Sequence, residues 1–343
     1  MTELIIFAIC FMASFFGLFY FRRLVGQSDL LDIPNERSSH MTPTTRGGGA
    51  VIVLVSIAAY LVISFVYPTA FSWGYLAGAV LIALISWLDD LYSIWFVWRF
   101  LAHAVAAVLL ITDVGYLQTI YLPIVSLHLN LGVVGLAITF LWVTWLVNSY
   151  NFMDGIDGIA GLQAVIASAS WLALGYIFEM PAIYYFSGVI AASSLGFLLH
   201  NWQPARIFMG DVGSAFLGFT FAAMPLLSKK QTTRTPYLLA VAAILFLWFF
   251  LFDSVVTFLI RLFQGKNVFS AHREHIYQKL NQSGMSHRKV TLIYGTMTFI
   301  LSIATVVSLD LSGEINFVLL TATVLLTVIL ITIYISSRSR KTQ

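Results

Sequence analysis

The chain has 343 residues, 59% of them hydrophobic and only 10% charged, with mean hydropathy +0.90 and a formal net charge of +3. Soluble domains carry about 25% charged residues, so too few charges remain here to cover a water-facing surface. Uncharged runs such as 47–88 far exceed the roughly 20 apolar residues that cross a bilayer, and an integral membrane protein is the class left standing.

Apolar windows bounded by charge, Pro or Gly predict eleven spanning helices, near 3–21, 48–67, 70–88, 97–113, 131–148, 158–178, 182–200, 213–228, 236–260, 289–308 and 315–335. The first lacks the basic leader and cleavage site of a secretory signal, so it reads as an uncleaved span. Its Cys10, the single cysteine, is a small apolar filler. Between the fourth and fifth, Gly115–Asn130 alternates in part and predicts a small surface hairpin. The expected fold is all-α and polytopic, one integral membrane domain over 1–343.

Basic residues set the orientation. One set of alternate loops and the tail hold Arg22, Arg23, Arg37, Arg46, Arg99, Arg206, Arg261, Lys266, Arg273, Lys279, Arg288, Lys289, Arg338, Arg340 and Lys341, fifteen of the eighteen. The other side holds Lys229, Lys230 and Arg234. The basic side is expected to be cytoplasmic, with the N-terminus periplasmic and the C-terminus cytoplasmic.

Acids are scarce, and Asp89, Asp90, Asp154, Asp157 and Asp211 all fall at span ends or short loops on that same side. Ionisable groups at membrane depth are costly and point to function. A single Asp is as easily a helix cap; five converging on one face are not. Asp113, Glu179, Asp310 and Glu314 on the other side read as solvated or capping residues.

Asn148, Asn151, Asp154, Gly155, Asp157 and Gly158 pack two amides, two carboxylates and two glycines into eleven residues. Met209-Gly210-Asp211-Val212-Gly213-Ser214 opens another span, where free N–H groups meet anions. Oxygen donors around phosphate suit Mg²⁺, with Mn²⁺ as an alternative. Thr44-Thr45-Arg46-Gly47-Gly48-Gly49 starts the second span with a basic, glycine-rich turn that could equally be a plain helix start.

Together these motifs resemble the polyprenyl-phosphate N-acetylhexosamine-1-phosphate transferases, the glycosyltransferase family 4 enzymes that include phospho-N-acetylmuramoyl-pentapeptide transferase. The resemblance runs from the Asp32–Gly49 loop to the Arg261–Leu280 loop. It implies ten core spans plus a C-terminal one. It places Asp89 and Asp90 at the lipid phosphate and makes Asp211 a magnesium ligand. Asn148, Asn151, Asp154 and Asp157 lie against nucleotide and metal, and Phe208 stacks on uracil. Asp253, in the ninth span, matches a family Asp with no clear role beyond packing or pairing.

One departure concerns the family's H-x-H-H cluster, which here reads His272-Arg273-Glu274-His275, with only His275 in place. That favours His275 and Arg273 as pyrophosphate binders over histidine chemistry. The first loop, Asp32-Ile33-Pro34-Asn35-Glu36-Arg37-Ser38-Ser39-His40, is similar to a Gram-negative branch that starts O-antigen chains, some of whose members use N-acetylfucosamine or N-acetylquinovosamine. His103 and His128 lie outside every motif and read as structural.

The resemblance implies a reaction: UDP-N-acetylamino sugar plus undecaprenyl phosphate gives undecaprenyl-diphosphate-sugar and UMP. Mg²⁺ is expected on Asp211, with Asn151 and one of the Asp pair nearby, while Arg46, Arg206, Arg273 and His275 neutralise charge. Asp89 or Asp90 would orient the lipid phosphate. Direct attack is preferred over a covalent Asp intermediate, because a phosphate with a second pKa of about 6 is already ionised. The aromatic segment Trp87–Phe100, with Trp95, Phe96 and Trp98, suits a lipid contact or an ordinary interface belt. Expected partners are the UDP-sugar, the lipid phosphate and the bilayer, with no nucleic acid; a homodimer stays open. The expected site is the bacterial inner membrane, facing the cytoplasm. A secondary transporter is the rival class, but it would place acids at mid-span and show an internal repeat.

Overall fold

The structure is a computed structural model that describes residues 2–25, 30–32, 43–122, 127–232, 236–268, 270, 272–312 and 317–339. Most of the Asp32–His40 motif, with Arg37, and also Arg234, Glu314, Arg340 and Lys341 lie outside the described residues.

The helices are α1 (Thr2–Val25), α2 (Gly49–Val66), α3 (Trp73–Tyr92), α4 (Phe96–Val114), α5 (Val134–Phe152), α6 (Ile159–Ile177), α7 (Pro181–Asn201), α8 (Gly210–Ser228), α9 (Pro236–Phe246), α10 (Trp248–Phe263), α11 (Ile276–Gln282), α12 (His287–Ser312) and α13 (Phe317–Ser339). Two short antiparallel ladders join them. β1 (Leu31–Asp32) pairs with β2 (Thr44–Thr45), and the expected hairpin is β3 (Thr119–Leu122) against β4 (Leu127–Asn130), with Ile120 opposite Leu129. This is an all-α polytopic membrane protein.

Among the described residues, nine helices are long and apolar enough to span, or ten when the bent pair α9–α10 counts as one. That is fewer than the eleven expected. The difference is α5, which has the length but ends in Asn148, Ser149, Tyr150 and Asn151, polar residues that lower its hydropathy. The span expected over 236–260 is present but bent. The chain breaks at Leu247, and α9 and α10 meet at 75°. Sharp kinks arise where a side chain enters the hydrogen-bond ladder, and here Gln163 Nε2 of α6 donates to Phe246 O at 2.7 Å, giving a carbonyl at the break its partner. The short helix α11 was not anticipated either.

Helix α8 is the axis of the bundle. Some 94% of its membrane-length stretch is buried, against 11% for α1 and 17% for α13. It packs on α2, α3 and α5, while α7 joins α1 to α6 and α12 closes the far side on α6. Small residues let the backbones meet, as at membrane helix interfaces generally: a Cβ on Gly213 would lie 2.6 Å from Gly49 Cα. The glycine triplet therefore serves the contact of α2 with α8 as well as the turn ahead of it.

Candidate active site

Helix α3 runs past the apolar window, so Asp89 and Asp90 occupy its last turns, and Ser93 (φ 50°) stops it in the left-handed region. Carboxylates at a helix C-terminus oppose the macrodipole and need cations nearby. Two come from elsewhere in the chain.

The first is Arg46, placed by backbone pairing between two distant motifs. Phe208 N donates to Thr45 O (2.8 Å), Gly48 N to Phe208 O (2.9 Å) and Gly49 N to Met209 O (2.8 Å). This stitches the glycine-rich turn to the start of α8. Arg46 Nε then lies 2.8 Å from Asp90 Oδ1, and its Nη2 lies 2.5 Å from Asp211 Oδ1. Burial works against its charge, but Asp211, Asp90 and Asp32 outweigh that and hold Arg46 above its ordinary range.

Asp90 also accepts from Asp211 N (2.9 Å) and Val212 N (3.1 Å), so it caps α8 from another helix. Gly210 permits this: it sits at φ 76°, and a Cβ there would meet Asp90 Oδ2 at 2.6 Å. With both oxygens engaged and a side chain 0% exposed, Asp90 aligns the α8 terminus. Asp89 (8%) and Asp211 (15%) keep an open edge.

The second cation is Arg99, in the first turns of α4. Its Nη1 lies 2.5 Å from Asp89 Oδ2 and 2.8 Å from Asp211 Oδ2. Through Arg99 the Asp89 and Asp211 carboxylates stand side by side, and Asn151 on α5 faces the same first turn of α8 that carries Asp211. Asn151 also donates to Ser214 Oγ at 3.0 Å, across the α5–α8 contact. Two carboxylates and an amide are hard oxygen donors. They fit Mg²⁺, which takes one or two carboxylates and fills its shell with phosphate oxygens and water. Among the described residues no trio of His, Cys, Asp or Glu is grouped as a metal site.

Asp154 lies in the turn after α5, half-buried, beside this cluster. Burial, then Asp211, Asp90 and Asp157, push its carboxyl well above the usual range, with Arg46 pulling the other way. Asp157 is fastened instead: Ala205 N donates to its Oδ2 (3.1 Å), His287 Nδ1 lies 3.2 Å from Oδ1, and Thr291 Oγ1 donates to its carbonyl (2.8 Å). It ties the loop to α12. Asn148, one helical turn before Asn151, donates to Thr144 O at 2.7 Å. Phe208 is half-buried beside the stitched turn, and Arg206 is exposed, outside the arginine–aspartate cluster.

His275 belongs to a second group at the same end. Asp253, fully buried on α10, accepts from Ile276 N (2.8 Å), Tyr277 N (3.0 Å) and Tyr294 Oη (2.7 Å). His275 Nδ1 lies 3.1 Å from the same carboxylate. Asp253 thus caps α11 and orients the imidazole. Tyr277 Oη donates to Phe152 O at 2.9 Å, docking α11 on the segment that carries Asn151 and Asp154. Arg273 is half-buried, two residues before His275.

Arg99 and His287 are the residues missed from sequence. Arg99 is the lone basic residue in the aromatic segment Trp87–Phe100, ten residues after Asp89, and that pairing of charges was the available signal. His103, one turn deeper on α4, is buried, and neither ring nitrogen has a hydrogen-bond partner among the described residues.

A polytopic bundle with a carboxylate–guanidinium cluster at one end has the architecture of a membrane enzyme that handles phosphate-rich ligands. Comparison with known proteins agrees. Residues 72–229 match the model of glycosyl transferase family 4. The chain is 28% identical to a probable undecaprenyl-phosphate N-acetylglucosaminyl 1-phosphate transferase of Bacillus subtilis, over 83% of this chain and 79% of that one. It is 31% identical to the decaprenyl-phosphate N-acetylglucosaminephosphotransferase of Mycobacterium leprae, over 79% and 74%. A phospho-N-acetylmuramoyl-pentapeptide-transferase of Streptococcus pyogenes is 30% identical over 66% and 72%. The chain belongs to glycosyl transferase family 4, a family of membrane phosphosugar transferases.

Proposed function

We propose that this protein transfers an N-acetylhexosamine-1-phosphate from a UDP-sugar to undecaprenyl phosphate, a first membrane step of O-antigen or related envelope polysaccharide synthesis. The observation that carries the reading is the convergence of Asp89, Asn151 and Asp211 with Arg46 and Arg99 at one end of the bundle. The excess of basic residues at that end supports a cytoplasmic face in the inner membrane.

In the reaction an oxygen of the lipid phosphate attacks the sugar-bearing phosphorus of the donor. The bond between the two donor phosphates breaks, and UMP leaves with the bridging oxygen. Phosphoryl transfer is mostly positioning and charge neutralisation. Asp89, with an open edge, orients the lipid phosphate. Arg46 and Arg99 swing their guanidinium groups from carboxylate to phosphate oxygens, for which their planar forks suit them. His275, held by Asp253, and Arg273 take the outer diphosphate, and Phe208 faces the base. Asp211, Asn151 and Asp89 would hold a Mg²⁺, whose part is to neutralise the diphosphate oxygens.

The test is UMP release by purified protein with undecaprenyl phosphate, Mg²⁺ and a donor panel of UDP-GlcNAc, UDP-FucNAc, UDP-QuiNAc and UDP-MurNAc-pentapeptide. The named relatives make UDP-GlcNAc the first donor to try. Silence across the panel, together with solute flux in liposomes, would move the protein to the transporter class.

A further inference from the structure

On the far side of α12 from Asp157, a groove of about 510 Å³ opens between α12 and α13. Its walls are Leu292, Ile293, Met297 and Ile333, and its rim carries Arg288 and Lys289. Residues 288, 292 and 296 form one row of the helix and 289, 293 and 297 the next, so each basic side chain stands one turn from apolar wall. Both are exposed, and neither is in an ion pair among the described residues.

We propose that this groove is a binding site for an anionic diacyl phospholipid of the leaflet on the active-site side, its phosphate on Arg288 and Lys289 and an acyl chain along the apolar walls. Basic pockets between spanning helices bind lipid headgroups in this way. The charge on the rim argues against other occupants. The chain's own tail carries Arg338, Arg340 and Lys341, of the same sign. A second copy packed across a two-fold axis at this face would set the rim against itself. The acceptor lipid would leave its phosphate across α12 from the Asp89–Asp211 pair.

The site is joined to the catalytic end through the first turn of α12. Arg288 N donates to Gln203 Oε1 at 2.7 Å, and the neighbouring His287 holds Asp157. A lipid that fixes the rim steadies the turn that fastens the Asp157 loop. The inference does not depend on the transferase reading, since its readout is lipid retention.

The experiment is native mass spectrometry of the full chain released from micelles containing equal phosphatidylglycerol and phosphatidylcholine. Wild type should retain phosphatidylglycerol about tenfold or more over phosphatidylcholine, the scale set by two basic groups at a membrane surface, and its Tm should rise with that lipid. The double variant R288Q/K289Q should lose the preference with an unchanged far-UV spectrum. T296W, which fills the groove and leaves the cations, should lower retention of both lipids. No preference in wild type, or the same preference in R288Q/K289Q, overturns the proposal. Displacement of phosphatidylglycerol by equimolar undecaprenyl phosphate would also overturn it, assigning the groove to the acceptor.

Discussion

Asp89 and Asp211 share a single nitrogen: Arg99 Nη1 lies 2.5 Å from Asp89 Oδ2 and 2.8 Å from Asp211 Oδ2. Arg99→Ala should therefore cut transfer by about 10²–10³-fold, the usual cost of removing one preorganised charge stabiliser. Arg99→Lys should recover part of it, since the charge returns without the fork. Comparing UMP release with the unfolding midpoint of each variant checks this; a large stability loss with intact turnover would make Arg99 structural.

The adjacent carboxylates should separate by phenotype. Asp89→Asn should abolish transfer while UDP-sugar binding by calorimetry stays near wild type. Asp90→Asn removes the buried half of an ion pair whose Arg46 is 34% exposed and weakens a helix cap, so it should cost about 1–3 kcal/mol of stability, read from unfolding in detergent. Loss of UDP-sugar binding in Asp89→Asn would move that residue to the nucleotide site.

Asp253 is expected to act through His275. Asp253→Asn should loosen α11 and raise KM for the nucleotide sugar by about tenfold or more, the equivalent of one charged hydrogen bond, with a smaller fall in kcat. Tyr294→Phe removes one of the donors to Asp253 and should show the same pattern more weakly. Hydrogen exchange across 273–282 is the accompanying measurement.

Packing gives another test. Gly213→Ala would put a Cβ 2.6 Å from Gly49 Cα, prising α2 from α8 and destabilising by about 1–3 kcal/mol. Because Arg46 lies just before α2, activity should fall further than the stability loss alone accounts for. An unchanged melting curve would show that the two helices can shift freely.

Burial first, then His275 and Arg261, push His272 down to about 4, below its ordinary 6.5. The folded protein therefore binds fewer protons than the unfolded chain between these values. The stability that neutral His272 contributes is complete above about pH 6.5 and is lost as pH falls toward 4. Thermal melts at pH 7.5 and 5.0 should differ less in His272→Asn than in wild type; an equal difference would place the dependence elsewhere.

Much of the fold was legible because hydropathy and charge are local properties. The windows found the helices, and the alternation at Gly115–Asn130 found the hairpin. The five aspartates stood out because acids are rare here and fell on one side. What escaped were features created by a neighbour remote in sequence. The bend at Leu247 depends on Gln163 from α6, and α11 depends on Asp253 beneath it. Asp89 and Asp90 are equivalent on paper and differ only because Asp90 meets the N-terminus of α8.

The amino-acid order by itself determined that the chain enters a bilayer, which loops carry its charges and which residue types are available for phosphate chemistry. Tertiary structure decided which partners those residues meet: Asp90 the N-terminus of α8, Asp157 the first turns of α12, and Arg99 the Asp89–Asp211 pair. The physical reason is that a buried charge takes its role from the partner that stabilises it, and for these residues the partner sits on another helix.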